Sequence, residues 1–129
     1  MGKWVTNMEK RLVLSFEDGD EVLAGVLQAA VEHDINYARF TASEGTLREF
    51  DLMSDNYDRP SADNKLFLVD KVSGTVVKTP TGHRVKLHCT LVRKGVSKAA
   101  LLTGELRSGI VQDSLDLILT TADLSKIIQ

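Results

Sequence analysis

From Arg11 to Phe16 the chain puts Leu12, Leu14 and Phe16 at every second position, the period of a strand with one face buried. The alternation stops at Asp18-Gly19-Asp20, which predicts a turn and a helix N-cap. From Asp20 to about His33 the apolar spacing lengthens to three and four residues through Val22, Leu23, Val26, Leu27, Ala30 and Val31. That spacing predicts an amphipathic helix, with Asp20 and Glu21 supplying negative charge at the end where the helix dipole favours it. Ile35 to Thr41 and Thr46 to Met53 predict two short strands, separated by a tight turn at Ser43-Glu44-Gly45.

The stretch from Ser54 to Asn64 is polar and rich in turn and cap residues, so an exposed loop with room for one helical turn is expected there. Strand patterns resume at Leu66 to Val76, Val85 to Val92, Ala99 to Leu106 and Ser114 to Thr120. Thr79-Pro80-Thr81-Gly82 and Lys94-Gly95 supply turns between them. Strands joined by such short links pair antiparallel. The order strand, helix, many strands predicts an α+β, two-layer fold: a mostly antiparallel β-sheet with one main helix and few short helices, in a single domain. Residues 1–9 read as an N-terminal extension, 10–121 as the domain and 122–129 as a C-terminal tail.

Composition narrows the function classes. The chain has 129 residues, 43% of them hydrophobic and 26% charged, enough for one real core and not for two. Its formal net charge of −2 argues against a protein that grips DNA with its whole surface, because affinity comes largely from neutralised phosphates. Any nucleic-acid contact must come from a local patch, for which Arg93, Lys94 and Lys98 are the candidates. The single cysteine, Cys89, sits in an apolar alternating run and reads as a packed core thiol. No window approaches the ~20 apolar residues of a membrane span, and the N-terminus lacks the apolar stretch of a signal peptide, so no membrane contact and a cytoplasmic location are expected.

Familiar catalytic chemistry is missing from the chain. It has no Gly-rich phosphate loop, no Cys-x-x-Cys pair, no His-Glu-x-x-His and no nucleophile elbow. Ser73-Gly74 and Ser108-Gly109 read as strand-end or turn dipeptides, and Asp18 and Asp20 lack the further acidic ligands of a calcium loop. The expectation leans away from an enzyme.

The order and spacing of several short pieces nevertheless resemble a known family. Arg11, Phe16 and Gly19-Asp20-Glu21-Val22 are followed by His33-Asp34-Ile35, Ala38-Arg39-Phe40 and Gly45-Thr46-Leu47. Val72-Ser73-Gly74, Leu87-His88, Leu101-Leu102-Thr103-Gly104 and Asp116-Leu117-Ile118 complete the series. Together they resemble the PPC domain, named for plants and prokaryotes conserved, over about residues 10 to 120. The resemblance implies a mainly antiparallel sheet in a homotrimer whose subunits meet through sheet surfaces. In plants the domain accompanies AT-hook motifs in DNA-binding proteins, whereas prokaryotic members are single domains predicted to bind DNA. This chain lacks an Arg-Gly-Arg-Pro core of the AT-hook kind.

Many prokaryotic relatives carry a metal site in which a His-x-His pair on one strand joins a third histidine from the next. Here the pair reads Lys86-Leu87-His88, and the third position falls at Ala100. Only His88 remains, and the Lys86 ammonium repels a cation, so neither zinc nor any other cofactor is expected. His83 stands at an odd offset from His88, on the opposite face of a regular strand, and His33 reads as compensation of the helix dipole. Glu44 replaces a residue that is normally apolar in the family. Either it stands exposed in a turn, or it reaches Arg48, Lys86 and His88 to make a candidate anion or small-metabolite pocket. Three readings follow: a homotrimeric binding or regulatory module with a DNA-binding role, a small-ligand or metal-dependent enzyme using the cleft around His88, and a purely structural oligomerisation domain.

Overall fold

The computed structural model describes residues 10–54, 66–93 and 101–121. Strand β1 (Lys10–Glu17) leads into helix α1 (Val22–Glu32), followed by β2 (Tyr37–Ser54), β3 (Phe67–Thr79), β4 (Gly82–Arg93) and β5 (Leu101–Thr121). Every strand pairing is antiparallel. The sheet order is β1-β5-β2-β3-β4, and β4 pairs with β5 as well. Strands β5, β2, β3 and β4 therefore close on themselves as a small barrel, with β1 added outside the ring on β5. The α+β expectation holds, and α1 is the only helix among the described residues.

The turn after β1 works through three carboxylates. Asp20 accepts a hydrogen bond from the Glu17 amide at 2.8 Å, folding the turn back on itself. Glu21, not Asp20, caps the helix: its Oε1 accepts from the Ala24 amide at 2.8 Å and its Oε2 from Leu23 at 3.1 Å. Asp20 is spent on its own turn, so the free amides at the helix start fall to the next residue. The same Glu21 carboxylate accepts from the Gly109 amide at 2.9 Å and so pins the start of α1 to β5. Asp18 accepts from the Asp113 amide at 2.9 Å, on the same strand.

Only one line of the apolar helix stripe is buried, through Val22, Val26 and Ala30. Leu27 and Val31 stay 41% and 68% exposed, because the helix leans on β1, β4 and β5 with one face only. Gly25 sits where that face meets β1. A Cβ at this position would collide with the Phe16 ring, so the aromatic ring occupies the space that glycine leaves.

Two expected breaks are absent. The two strands expected over Ile35 to Met53 are one strand, β2, and the turn expected at Ser43-Glu44-Gly45 is a bulge within it. Register against β5 shifts at Phe40/Ala42, Gly45/Thr46, Leu47/Glu49 and Asp51/Leu52, and these irregularities bend the strand around the barrel instead of reversing it. Gly45, at φ +151°, is required there, since a side chain would strike the Ser114 carbonyl and Leu115. In the same way, the strand expected at Ala99 to Leu106, of which Leu101 onward is described, and the strand expected at Ser114 to Thr120 belong to one strand, β5, which bends at Asp113 with φ 64°. The β3–β4 hairpin turns at Pro80-Thr81, as expected, and Thr79 Oγ1 donates to the Gly82 carbonyl at 2.6 Å. The strands flanking it run further into the turn than their hydrophobic patterns do. The expected loop from Ser54 to Asn64 lies, apart from Ser54, outside the described residues, as does the Lys94-Gly95 turn.

Inward positions alternate along each strand and meet in one core, in which Leu47, Leu52, Leu91, Leu117 and Leu119 are fully buried. Phe50 and Phe67 pack edge to face with centroids 5.0 Å apart. Burial of each such side chain stabilises the fold by about 1.5–3 kcal/mol, so the barrel interior outweighs any surface contact. The Gly25→Ala variant tests how tightly helix and sheet fit. Helix propensity alone favours alanine by ~1 kcal/mol. Overpacking against Phe16 opposes it by ~1–3 kcal/mol, so urea unfolding is expected to show net destabilisation, partly recovered when Phe16→Leu is added. A more stable single variant would contradict the packing described.

Candidate functional site: the outer face of the barrel

The alternation that buries Leu87, Cys89 and Leu91 turns Lys86, His88 and Thr90 of β4 outward. Strand register sets their neighbours. His88 is paired with Ser73 on β3 and with Glu105 on β5; Lys86 is paired with Thr75, and Thr90 with Lys71 and Thr103. Thr90 and Thr103 join hydroxyl to hydroxyl at 3.2 Å. A cleft of about 230 Å³ opens here, lined by Lys71, Val72, Ser73, His88, Cys89 and Thr90. It lies where β3 bulges between Val69 and Lys71.

The candidate pocket residues do not form one cluster. Lys86 and His88 share a strand face, as their spacing predicts. Glu44 lies on β2 opposite Asp116 of β5, an exposed carboxylate facing a half-buried one. Arg48 is engaged elsewhere: its Nη1 donates to Asp18 at 2.8 Å and to Gln112 at 3.2 Å. His83 turns away from His88 and its Nε2 meets the Ile35 carbonyl at 2.9 Å. His33 closes α1 with its backbone amide, which donates to the Ala29 carbonyl at 2.9 Å. Of the candidate DNA contacts, Arg93 is half-buried, with an Nε that is enclosed and has no hydrogen-bond partner among the described residues. Lys94 and Lys98 lie outside the described residues, as does Ala100.

Register reveals an arrangement that the chain order hides. Arg11 of β1 is paired with Thr120 of β5, Thr120 with Arg39 of β2, Arg39 with Thr75 of β3, and Thr75 with Lys86 of β4. All five point outward, between buried neighbours such as Ala38, Phe40, Val76 and Leu87. They make a single row across all five strands in which Arg11, Arg39 and Lys86 are exposed and alternate with threonine hydroxyls. Alternate strands lie about 9.6 Å apart, which sets the spacing of the cations along the row. None of the three is paired with a carboxylate among the described residues. Parallel to the row run Val13, Ile118 and Ala42, and beyond them Ser15, Asp116 and Glu44, so the face is banded as cationic, apolar and acidic. Arg11, Arg39, Lys71, Ser73 and Thr75 were not among the sequence candidates; outward position on alternating strands was the signal available for them.

Residues 5–123 match the Plants and Prokaryotes Conserved (PCC) domain. The chain belongs to that family, the one its motifs resemble. No curated protein sequence matches the chain. Among solved structures, a plant- and prokaryote-conserved protein of Pyrococcus horikoshii is similar at 17% identity and a TM-score of 0.69, over 93% of this chain and 85% of its own. A candidate DNA-binding protein of Bacteroides thetaiotaomicron is similar at 18% and 0.71, over 95% and 87%. A metal-containing protein of Archaeoglobus fulgidus is similar at 14% and 0.69, over 88% and 80%. These likenesses establish the shared fold.

The residues present do not fit the three-histidine metal set that the PPC resemblance implies. His88 has a lysine two residues back on its own face and a serine and a glutamate as paired neighbours, and Ala100 has no ligating side-chain atom. Among the described residues no group of three or more His, Cys, Asp or Glu is placed to hold a metal ion. Nor, among those residues, is any helix long and apolar enough to cross a membrane.

Among the described residues two acids have clear shifts. Asp34 is held below its ordinary value by a 2.8 Å hydrogen bond from Lys78 and the charge of that ammonium. Burial pushes the Cys89 thiol up from 9.0 to about 12. Since the thiolate is the nucleophile, Cys89 is expected to resist a disulfide reagent at pH 8 in the folded protein and to react at once in denaturant. The folded state retains the proton over a range in which the unfolded chain loses it, so this group's contribution is complete below pH 9 and falls as pH rises toward 12. Rapid labelling of the folded protein would contradict the burial of Cys89 in the core.

Proposed function

We propose that the chain is a binding and regulatory module that assembles as a homotrimer and contacts DNA through a local basic surface. The row Arg11–Thr120–Arg39–Thr75–Lys86 is the observation that carries this reading, because it concentrates exposed cations and hydroxyls on an otherwise acidic protein. Cations alternating with hydroxyl donors suit phosphate oxygens and carry little base information, so the contact positions DNA more than it reads it. Arg93, Lys94 and Lys98 are the weaker candidates, drawn from the sequence alone. Trimer formation rests on the PPC resemblance and on exposed apolar side chains, Val13 at 54% and Val31 at 68%.

A second reading takes the His88 cleft as a small-ligand site, favoured by the lining of Lys71, Ser73, His88 and Thr90. Light scattering and duplex binding across a salt series test the leading reading together. A particle of three times the chain mass is expected, with duplex affinity that falls steeply with salt. The Arg11→Gln/Arg39→Gln double variant is expected to lower the salt slope by about 2. A stable monomer would remove the trimer, and negligible duplex affinity even at low salt would remove the DNA role.

A further inference from the structure

We infer that the cleft on the outer face of β3 and β4 is a binding site for a phosphate group, carried by inorganic phosphate or a small phosphomonoester. The inference rests on the second reading above, in which this cleft takes a small ligand; it shares Thr75 and Lys86 with the cationic row but not Arg11 or Arg39. Ser73 and His88 are cross-strand partners at the centre. Two register steps to one side stands the Thr75–Lys86 pair, and two steps to the other the Lys71–Thr90 pair. Two residues along a strand advance about 6.8 Å, so both lysine ammonium groups, on flexible four-carbon stems, reach a point above the Ser73–His88 pair.

Lys71, Ser73, His88 and Thr90 line the cleft itself, and Thr75 and Lys86 flank it on the same outer face, which brings two lysines, an imidazole and three hydroxyls to one stretch of surface. Such a set suits a tetrahedral dianion with several acceptor oxygens. Planar carboxylates, by contrast, are favoured by the fork of an arginine, and the cleft lining has none. Two carboxylates shape the approach. Glu105 is paired with His88 from β5 and closes that side to an anion, leaving the β3 side open. Asp70 lies in the β3 bulge beside Lys71, exposed. A volume of about 230 Å³ holds a phosphate with a short organic remainder and is too small for a dinucleotide.

Lys86 adds a second cation at the edge of the cleft, beyond the lysine that lines it. Lys71 and Lys86 are exposed, so their neutral replacements leave the core intact.

Amide chemical shifts followed by NMR at constant ionic strength test this directly, with inorganic phosphate and glycerol phosphate as probes and glycerol as the uncharged control. Saturable shifts confined to the neighbourhood of Ser73, His88 and Thr90 are expected for both phosphates and not for glycerol. The Lys71→Gln/Lys86→Gln variant should weaken binding at least about tenfold, and Arg11→Gln/Arg39→Gln should leave it unchanged. Absence of saturable shifts would overturn the site. So would an affinity unaffected by the lysine variant, or one lost equally in the arginine variant. Duplex binding of the arginine variant reports on the row alone, so failure of the DNA reading and failure of the cleft are told apart.

Discussion

Strand β5 makes hydrogen bonds to three other strands, and the rest of the architecture depends on how it divides itself among them. Its first residues, Leu101 to Glu105, pair with β4; its last, Ser114 to Thr121, pair with β1; and β2 follows it from Gly104 to Thr121. A flat strand cannot do this. Asp113 and the shifts opposite it in β2 supply the bend, and Gly45 permits the closest approach between the two. Once β5 reaches β4 the sheet is closed, and β1 is left as the strand added outside the ring. Glu21 and Asp18 then tie the start of α1 and its preceding turn to the middle of β5.

Closure also determines what the outside of the barrel can do. With one face of every strand committed to the core, the chemistry of the molecule lies on the other, and register decides which outward residues meet. Arg11, Arg39 and Lys86 are far apart in sequence and become a row only because β5 and β3 sit between their strands. His88 comes to lie between Ser73 and Glu105 for the same reason. Exposed charges like these add little to stability, since screening and side-chain entropy offset most of their attraction. Arg11, Arg39 and Lys86, which meet no carboxylate among the described residues, are more readily understood as recognition than as support.

Much of the fold was legible in the chain because its determinants are local. Period-two runs marked β1, β3, β4 and both ends of β5, the three-to-four spacing marked α1, and Pro80-Thr81 marked the hairpin. Errors arose where a local signal served a long-range end. Ser43-Glu44-Gly45 carries turn chemistry, yet pairing with β5 holds the backbone extended and uses the glycine for a bulge. Asp20 has the residue type of an N-cap, but its carboxylate closes the preceding turn and Glu21 takes over. Leu27 and Val31 fit the helix stripe and still face outward, since one side of α1 meets the sheet. The candidate site was legible only along one strand: Lys86 and His88 follow from spacing, whereas Arg48 and Glu44 were grouped with them without a register to show that Asp18, Gln112 and Asp116 are their actual neighbours.

The claim on which the account most depends is that β4 and β5 close the ring, since closure places His88 between β3 and β5. Amide hydrogen exchange measures it most directly. Protection of the β4–β5 amides around Cys89 and Gly104 should match that of the β2–β5 and β3–β4 amides, all opening as one cooperative unit. Exchange at β4–β5 that is far faster than across the other ladders would mean an open sheet, and would contradict both the barrel and the cleft built on it.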